Sequence, residues 1–285
     1  MRSLPCLGLL LFAIGAGCGP APIVTSPLIV ARPYDSHIPA SYDPSKATPL
    51  VLLLHGYSAT PFIEDVVFGL TAESDARGFL YAMPSGLTDS KGAPYWNATD
   101  ACCDFDHTNV DDVAYLNAVI DDMEARYNVD KKRIFIAGHS NGGFMAHRMA
   151  CDSAPRIAAI VSLAGAMWLD ATKCKPTDKV AVLQVHGDAD TEVIYNGTSA
   201  YPSATQTVAD WAVNNGCAPS LTPTGMTLDL VSNLPGAETE VARHDGCAGG
   251  AAELWTIHGG SHVPAFNLPA WPDAIYNWMA AHPKP

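Results

Sequence analysis

From residue 27 onward the chain alternates between short apolar runs and stretches with helical spacing. Leu28-Ile29-Val30-Ala31 predicts a first strand. Residues 49–55 are almost wholly apolar, the pattern of a strand buried on both faces. Residues 63–77 predict one helix stopped by Gly78, and residues 79–83 the next strand. A long polar loop then runs from Pro84 to about His107. Val110, Val113, Leu116, Val119, Ile120 and Met123 repeat at helical spacing within residues 110–127. Residues 133–137, 157–163 and 179–185 read as buried strands, and residues 205–213 as a helix. Residues 227–231, 239–243 and 253–257 are further strand candidates, and a terminal helix is expected after Pro272. This alternation predicts an α/β fold with a mostly parallel central sheet and helices on both faces. No internal repeat or composition break divides it, so one domain is expected over residues 27–285.

The N-terminus changes the picture of where the chain works. Arg2 followed by an apolar run over residues 7–14 reads as an export signal ending near residue 18, since a membrane span needs about 20 apolar residues. Ala16-Gly17-Cys18 resembles the end of a bacterial lipobox, with Gly15 departing from it. Lipidation at Cys18, with residues 19–26 as a tether, and full secretion are the two outcomes. Six further cysteines, Cys102, Cys103, Cys151, Cys174, Cys217 and Cys247, suit disulfides in an exported chain. Cys217 with Cys247 and Cys151 with Cys174 are the expected pairs, which leaves Cys102 and Cys103 to each other. A metal centre is not expected, because adjacent Cys102 and Cys103 with His107 converge poorly on a tetrahedral ion. The formal charge of −13 disfavours nucleic acid and anionic membrane surfaces as partners. A monomer without a cofactor is expected.

Candidate chemistry sits at Gly138-His139-Ser140-Asn141-Gly142, which fits the G-x-S-x-G nucleophile elbow between a predicted strand and a predicted helix. A Cβ at Gly138 or Gly142 would collide with neighbouring backbone in so sharp a turn. A serine hydroxyl needs a base, and the base needs an orienting acid. On this fold the order is Ser, acid, His. The acid is expected just past the strand at 179–185, where Asp190 has the right offset and Asp188 is the alternative, with Glu192 a third candidate. The base is expected beyond the last strand, where His258 and His262 compete. His262, past two glycines, is free to turn back over the sheet. The expected oxyanion donors are the backbone N–H groups of Asn141 and of Tyr57, the latter after the turn at Gly56.

Several motifs then occur in one order: Leu54-His55-Gly56, Trp96-Asn97-Ala98 with Cys102-Cys103, Val110-Asp111-Asp112-Val113, residues 138–143, His186-Gly187-x-x-Asp190, Asn215-Gly216-Cys217 and Gly259-Gly260-Ser261-His262. Together they resemble exported bacterial esterases of the polyhydroxybutyrate depolymerase type, which overlap with the feruloyl and acetylxylan esterases of carbohydrate esterase family one. The resemblance implies an α/β-hydrolase fold, a Ser140–Asp190–His262 triad and carboxylic-ester hydrolysis through an acyl-enzyme. It places Trp96 near the serine, and Trp168 after the next strand is a second expected substrate-binding residue. Members commonly carry Trp-Pro-Gly after the histidine, whereas Val263-Pro264-Ala265 follows here, which bears on the pocket and not on the triad. Soluble short-chain, hydroxyacyl or aryl esters, or oligomers, are the expected substrates, with crystalline polyester attacked slowly. Acyl transfer or peptide hydrolysis on the same fold, or a non-catalytic lipoprotein that binds a glycan or polymer, are the alternatives.

Overall fold

A computed structural model describes residues 25–285. The expected export signal, Cys18 and the expected tether as far as residue 24 lie outside the described residues. The elements run α1 (Pro27–Ala31), β1 (Asp35–His37), β2 (Thr48–Leu54), α2 (Pro61–Phe68), α3 (Leu70–Arg77), β3 (Leu80–Met83), β4 (Leu87–Thr88), β5 (Pro94–Tyr95) and α4 (Asp112–Arg126). They continue as β6 (Val129–His139), α5 (Asn141–Asp152), β7 (Ala159–Leu163), β8 (Ala181–Gly187), α6 (Ala204–Asn215), β9 (Leu221–Leu228), β10 (Thr239–His244), β11 (Ala251–Ile257) and α7 (Ala270–Ala280).

Among the described residues nine strands form one sheet in the order β1-β3-β2-β6-β7-β8-β11-β10-β9. The strands from β3 to β11 pair in parallel, and antiparallel partners close both edges. Parallel neighbours require crossover helices, and these cover both faces. Side chains alternate along each strand, so Leu50, Leu52 and Leu54 face α1, α4, α5 and α6, while Val51 and Leu53 face α2, α3 and α7. This two-sided burial explains why β2 and β8 are buried throughout. The α/β-hydrolase architecture expected from the alternation is present.

Four local expectations are corrected. Leu28–Ala31 is not a strand but most of helix α1: Ser26 caps it by accepting from Leu28 N–H, and Pro27 sits at its first position. The edge strand is instead the short polar β1, paired with β3. The helix expected over 63–77 is two helices, because Gly69 at φ 68° ends α2 in the left-handed conformation and α3 starts beyond it. The strand expected at 227–231 lies earlier, as β9, whose residues are mostly exposed and carry no alternating apolar signal. Pro272 does not precede the terminal helix but sits in the first turn of α7, where its missing N–H costs nothing. The loop from Pro84 also contains a small antiparallel ribbon, β4–β5.

Disulfides join Cys151 to Cys174, Cys217 to Cys247 and Cys102 to Cys103, in the expected pairing. Three disulfides mark a chain made for an oxidising compartment outside the cytoplasm. Among the described residues no helix is long and apolar enough to cross a membrane.

Candidate active site

The parallel strands bring their C-terminal ends to one side of the sheet, and the candidate residues collect there. Strand β6 runs directly through Ser140 into α5, leaving Ser140 at φ 52° and ψ −121°. That backbone is strained for a residue with a side chain. It is held by Ser140 N–H donating to Leu163 O at 2.8 Å and by Phe144 N–H donating to Ser140 O at 2.9 Å. The glycines are sterically required: a Cβ on Gly138 would lie 2.3 Å from Gly142 O, and one on Gly142 would lie 2.0 Å from Leu54 O.

Asp190 follows β8 and His262 follows β11, two neighbouring parallel strands. Their loops meet, and His262 Nδ1 donates to Asp190 Oδ2 at 2.8 Å with both groups buried. This bond places the imidazole proton on Nδ1 and leaves the Nε2 lone pair to accept a proton. Asp190 Oδ1 accepts the N–H groups of Glu192 (2.8 Å) and Val193 (3.0 Å). Burial alone would raise the carboxyl's pKa. Hydrogen bonds from His186, His262 and the Glu192 N–H outweigh it and hold Asp190 well below the usual carboxylate range. Asp188 instead meets the exposed His258 at 2.9 Å and accepts from Gly259 N–H. Glu192 is exposed and approaches the other nitrogen of His262, Nε2, at 3.8 Å. An orienting acid has to hold Nδ1, so only Asp190 has the required geometry.

A buried chain of donors braces Asp190 from beneath. Trp211 Nε1–H donates to His147 Nδ1 at 3.0 Å, so His147 carries its proton on Nε2 and donates to Gln184 Oε1 at 2.9 Å. Burial pulls the His147 pKa down to about 4, which keeps the ring neutral. Gln184 Nε2 donates to Gly165 O and to His186 Nδ1. That leaves the His186 Nε2 proton for Val193 O at 2.8 Å and Asp190 Oδ2 at 3.3 Å. His186 was visible in the motif that holds Asp190, but His147, Gln184 and Trp211 are isolated residues in buried elements and carried no signal.

Asp190→Asn is expected to lower kcat on the order of 10³-fold, less than loss of the serine, with Asp188→Asn close to wild type. Because its folded-state pKa is depressed, the Asp190 carboxylate contributes stability that is fully present above its unfolded pKa of about 3.9. That contribution is lost as pH falls through the lower folded value. Urea melts should therefore show a stability gap between wild type and Asp190→Asn at pH 6 that narrows below about pH 4.

Ser140 and His262 line the same two hollows, of about 260 Å³ and 230 Å³. No hydrogen bond joins Ser140 Oγ to His262 among the described residues. The larger hollow is walled by Phe144, Tyr201, Val193, Phe105 and the Cys102–Cys103 pair. Tyr57 borders both hollows, and its hydroxyl donates to Asp89. On its loop, Gly56 N–H is taken by Glu64 at 2.9 Å, and Tyr57 N–H has no protein partner among the described residues. His55 shapes this turn. Gly86 N–H donates to its Nε2, so its Nδ1–H donates to Gly56 O at 2.8 Å.

The two expected substrate-binding tryptophans are not placed as expected. Trp96 is fully buried: its Nε1–H donates to His55 O, its ring packs on His55 and Tyr115, and it borders neither hollow. It acts instead through its backbone, which exchanges hydrogen bonds with the Asn141 side chain at 2.7 and 2.9 Å and so anchors the residue after Ser140. Trp168 is largely buried and borders neither hollow; it lines a neighbouring cavity of about 440 Å³ that shares Cys102, Cys103 and Phe105 with the larger hollow. Asp111 caps α4 by accepting from Ala114 N–H, whereas Asp112 is buried against Arg32. Among the described residues no three His, Cys, Asp or Glu side chains are grouped to hold a metal ion.

Known proteins agree with this architecture. Residues 39–227 match the phospholipase/carboxylesterase family, a span that includes Ser140 and Asp190. Feruloyl esterase B of Piromyces equi is 29% identical over 248 residues, covering 82% of this chain and 43% of that protein. Feruloyl esterase D of Neurospora crassa is 25% identical over 272 residues, covering 92% of this chain and 86% of that one. Among solved structures, the acetyl xylan esterase from Aspergillus awamori superposes with a TM-score of 0.62 at 16% identity, covering 86% of this chain and 92% of that one. At that identity the likeness speaks to the fold alone. The chain belongs to the phospholipase/carboxylesterase family of α/β-hydrolases and is a carboxylic-ester hydrolase.

Proposed function

We propose that Ser140 is the nucleophile, His262 the general base and Asp190 its orienting acid in the hydrolysis of short-chain or aryl carboxylic esters. The reading rests on one observation above others: the buried Asp190–His262 pair opens onto the same hollows as the strained Ser140. Ser140 Oγ attacks the ester carbonyl while His262 Nε2 takes its proton. The oxyanion is held by the N–H groups of Asn141 and Tyr57. His262 then returns the proton to the departing alcohol, leaving an acyl-serine. Water, deprotonated by His262, attacks that ester, and the acid leaves with Ser140 reprotonated. Asp190 stays ionised and stabilises the imidazolium. The Ser140–His262 bond forms with substrate, as catalytic hydrogen bonds that are loose in a free enzyme tighten in the complex.

The 260 Å³ hollow supports the substrate class. Its Phe144, Tyr201 and Phe105 walls offer flat apolar surface to an aryl or short acyl group, and its volume of about 260 Å³ is on the scale of one such group. Two of the relatives above are named feruloyl esterases, which fits an aryl acyl group. A panel of soluble feruloyl, acetyl, 3-hydroxybutyryl and dodecanoyl esters tests this. The kcat/KM for the best of the first three should exceed that for the dodecanoyl ester at least about tenfold. A preference for the long chain would overturn the assignment.

A further inference from the structure

Glu64 and His139 are buried ionisable residues that the reaction as written does not use, yet they touch three parts of the site. Glu64, on α2, is 2% exposed. Its Oε2 accepts from Gly56 N–H at 2.9 Å, and its Oε1 lies 3.4 Å from His139 Nδ1. His139 directly precedes the nucleophile. Its other nitrogen, Nε2, lies 2.9 Å from the backbone carbonyl of His262, and the two imidazole rings are 4.8 Å apart. One pair thus bridges the loop of Gly56 and Tyr57, the serine elbow and the loop of the base.

The partners of His139 fix its state. The His262 carbonyl can only accept, so Nε2 carries a proton; Nδ1 faces Glu64 Oε1 as a close ionic contact, and a proton there supplies the partner that this buried oxygen otherwise lacks among the described residues. We propose, resting on the triad reading above, that Glu64 and His139 form a buried carboxylate–imidazolium pair that positions His262 and sets a positive charge against its ring. His139 clamps the His262 carbonyl, Glu64 counters its charge and pins Gly56, and the His139 ring lies 4.8 Å from the His262 ring. Burial alone would strip the proton from His139. The hydrogen bond and charge of Glu64, with the His262 carbonyl and the charge of Asp190, overcome this and raise its pKa. The charged groups around His262 are therefore Asp190 and Glu192 beyond β8, His139 at the end of β6, and Glu64 on α2 behind it, with His186 acting through Asp190. Of these, His139 alone carries a positive charge against the ring, and it opposes the two carboxylates that favour a charged His262.

Glu64→Gln separates charge from shape. The amide oxygen still accepts from Gly56 N–H, and the amide nitrogen donates to a neutral His139, which keeps its bond to the His262 carbonyl. Losing the positive charge eases protonation of His262, so the acid limb of the pH–kcat/KM profile should move up by about half to one unit. A residue that only packs would not move it. Nitrogen-15 spectra of the histidine-labelled wild-type protein at pH 7.5 give a second readout that needs no variant. His139 should show both ring nitrogens protonated, and a neutral His139 would overturn the proposal. An unmoved acid limb in folded Glu64→Gln, with Ser140 still labelled by a fluorophosphonate, would sink the proposal and leave the triad standing. If wild-type Ser140 resists labelling, the triad reading and this inference fall together.

Discussion

Ser140→Ala is expected to lower kcat/KM on a soluble aryl ester by about 10⁴-fold or more with a melting temperature close to wild type, and His262→Ala by a similar factor with the fold kept but some stability lost, since buried Asp190 loses a hydrogen-bond partner. The reason is that neither group works alone. The hydroxyl is a weak nucleophile without a base to take its proton, and the base has nothing to activate without the hydroxyl. The double variant should therefore be about as inactive as either single one. Steady-state kinetics with thermal melts check this. The competing histidine supplies the control: His258 is exposed, bound to Asp188 and Glu240, and borders neither hollow. Near-wild-type turnover in His262→Ala combined with loss in His258→Ala would reassign the base.

Gly142→Ala should be the most damaging single methyl addition near the site. Its Cβ would stand 2.0 Å from Leu54 O and 2.7 Å from His55 O, and both are backbone atoms of the central strand β2 and its exit. No side-chain rotation can relieve that overlap, so α5 must move away from the sheet. A loss of about 3 kcal/mol, or roughly 6–12 °C in Tm, is expected, together with loss of activity because α5 carries Asn141. Gly249→Ala is the contrast: its Cβ would meet only the flexible Lys179 side chain at 3.0 Å, so its Tm should stay near wild type. Differential scanning calorimetry of the two variants reads the difference directly, and an equally stable Gly142→Ala would mean that the elbow packs more loosely than described.

What the sequence made legible follows from which forces are local. Buried parallel strands write continuous apolar runs, so β2, β6, β7 and β8 were readable within a residue or two at most ends. The elbow was readable because its glycines answer a steric demand within five residues. The candidate acid and base were narrowed by the chain order expected on this fold, and the Nδ1 contact then sets Asp190 apart from Asp188 and Glu192. Helix α1 was misread because four apolar residues carry no period. Strand β9 was misplaced because an exposed edge strand leaves no hydrophobic trace. Trp96 was misassigned because an aromatic residue in a loop looks the same in sequence whether it lines a pocket or fills the loop's own core. Glu64 was missed outright. A carboxylate in the first turn of a helix ordinarily serves the helix dipole, and nothing local reveals that this one is buried against Gly56 and His139.

The central claim is that Ser140 carries the acyl group between two half-reactions. Rapid acid quench of the enzyme turning over a feruloyl or acetyl aryl ester, followed by mass spectrometry of the peptides, measures this directly. The account predicts one acyl adduct, on the peptide containing Ser140, at higher occupancy in Asp190→Asn if that variant slows deacylation more than acylation. An adduct on another residue, or full turnover with the ester by Ser140→Ala, would contradict it.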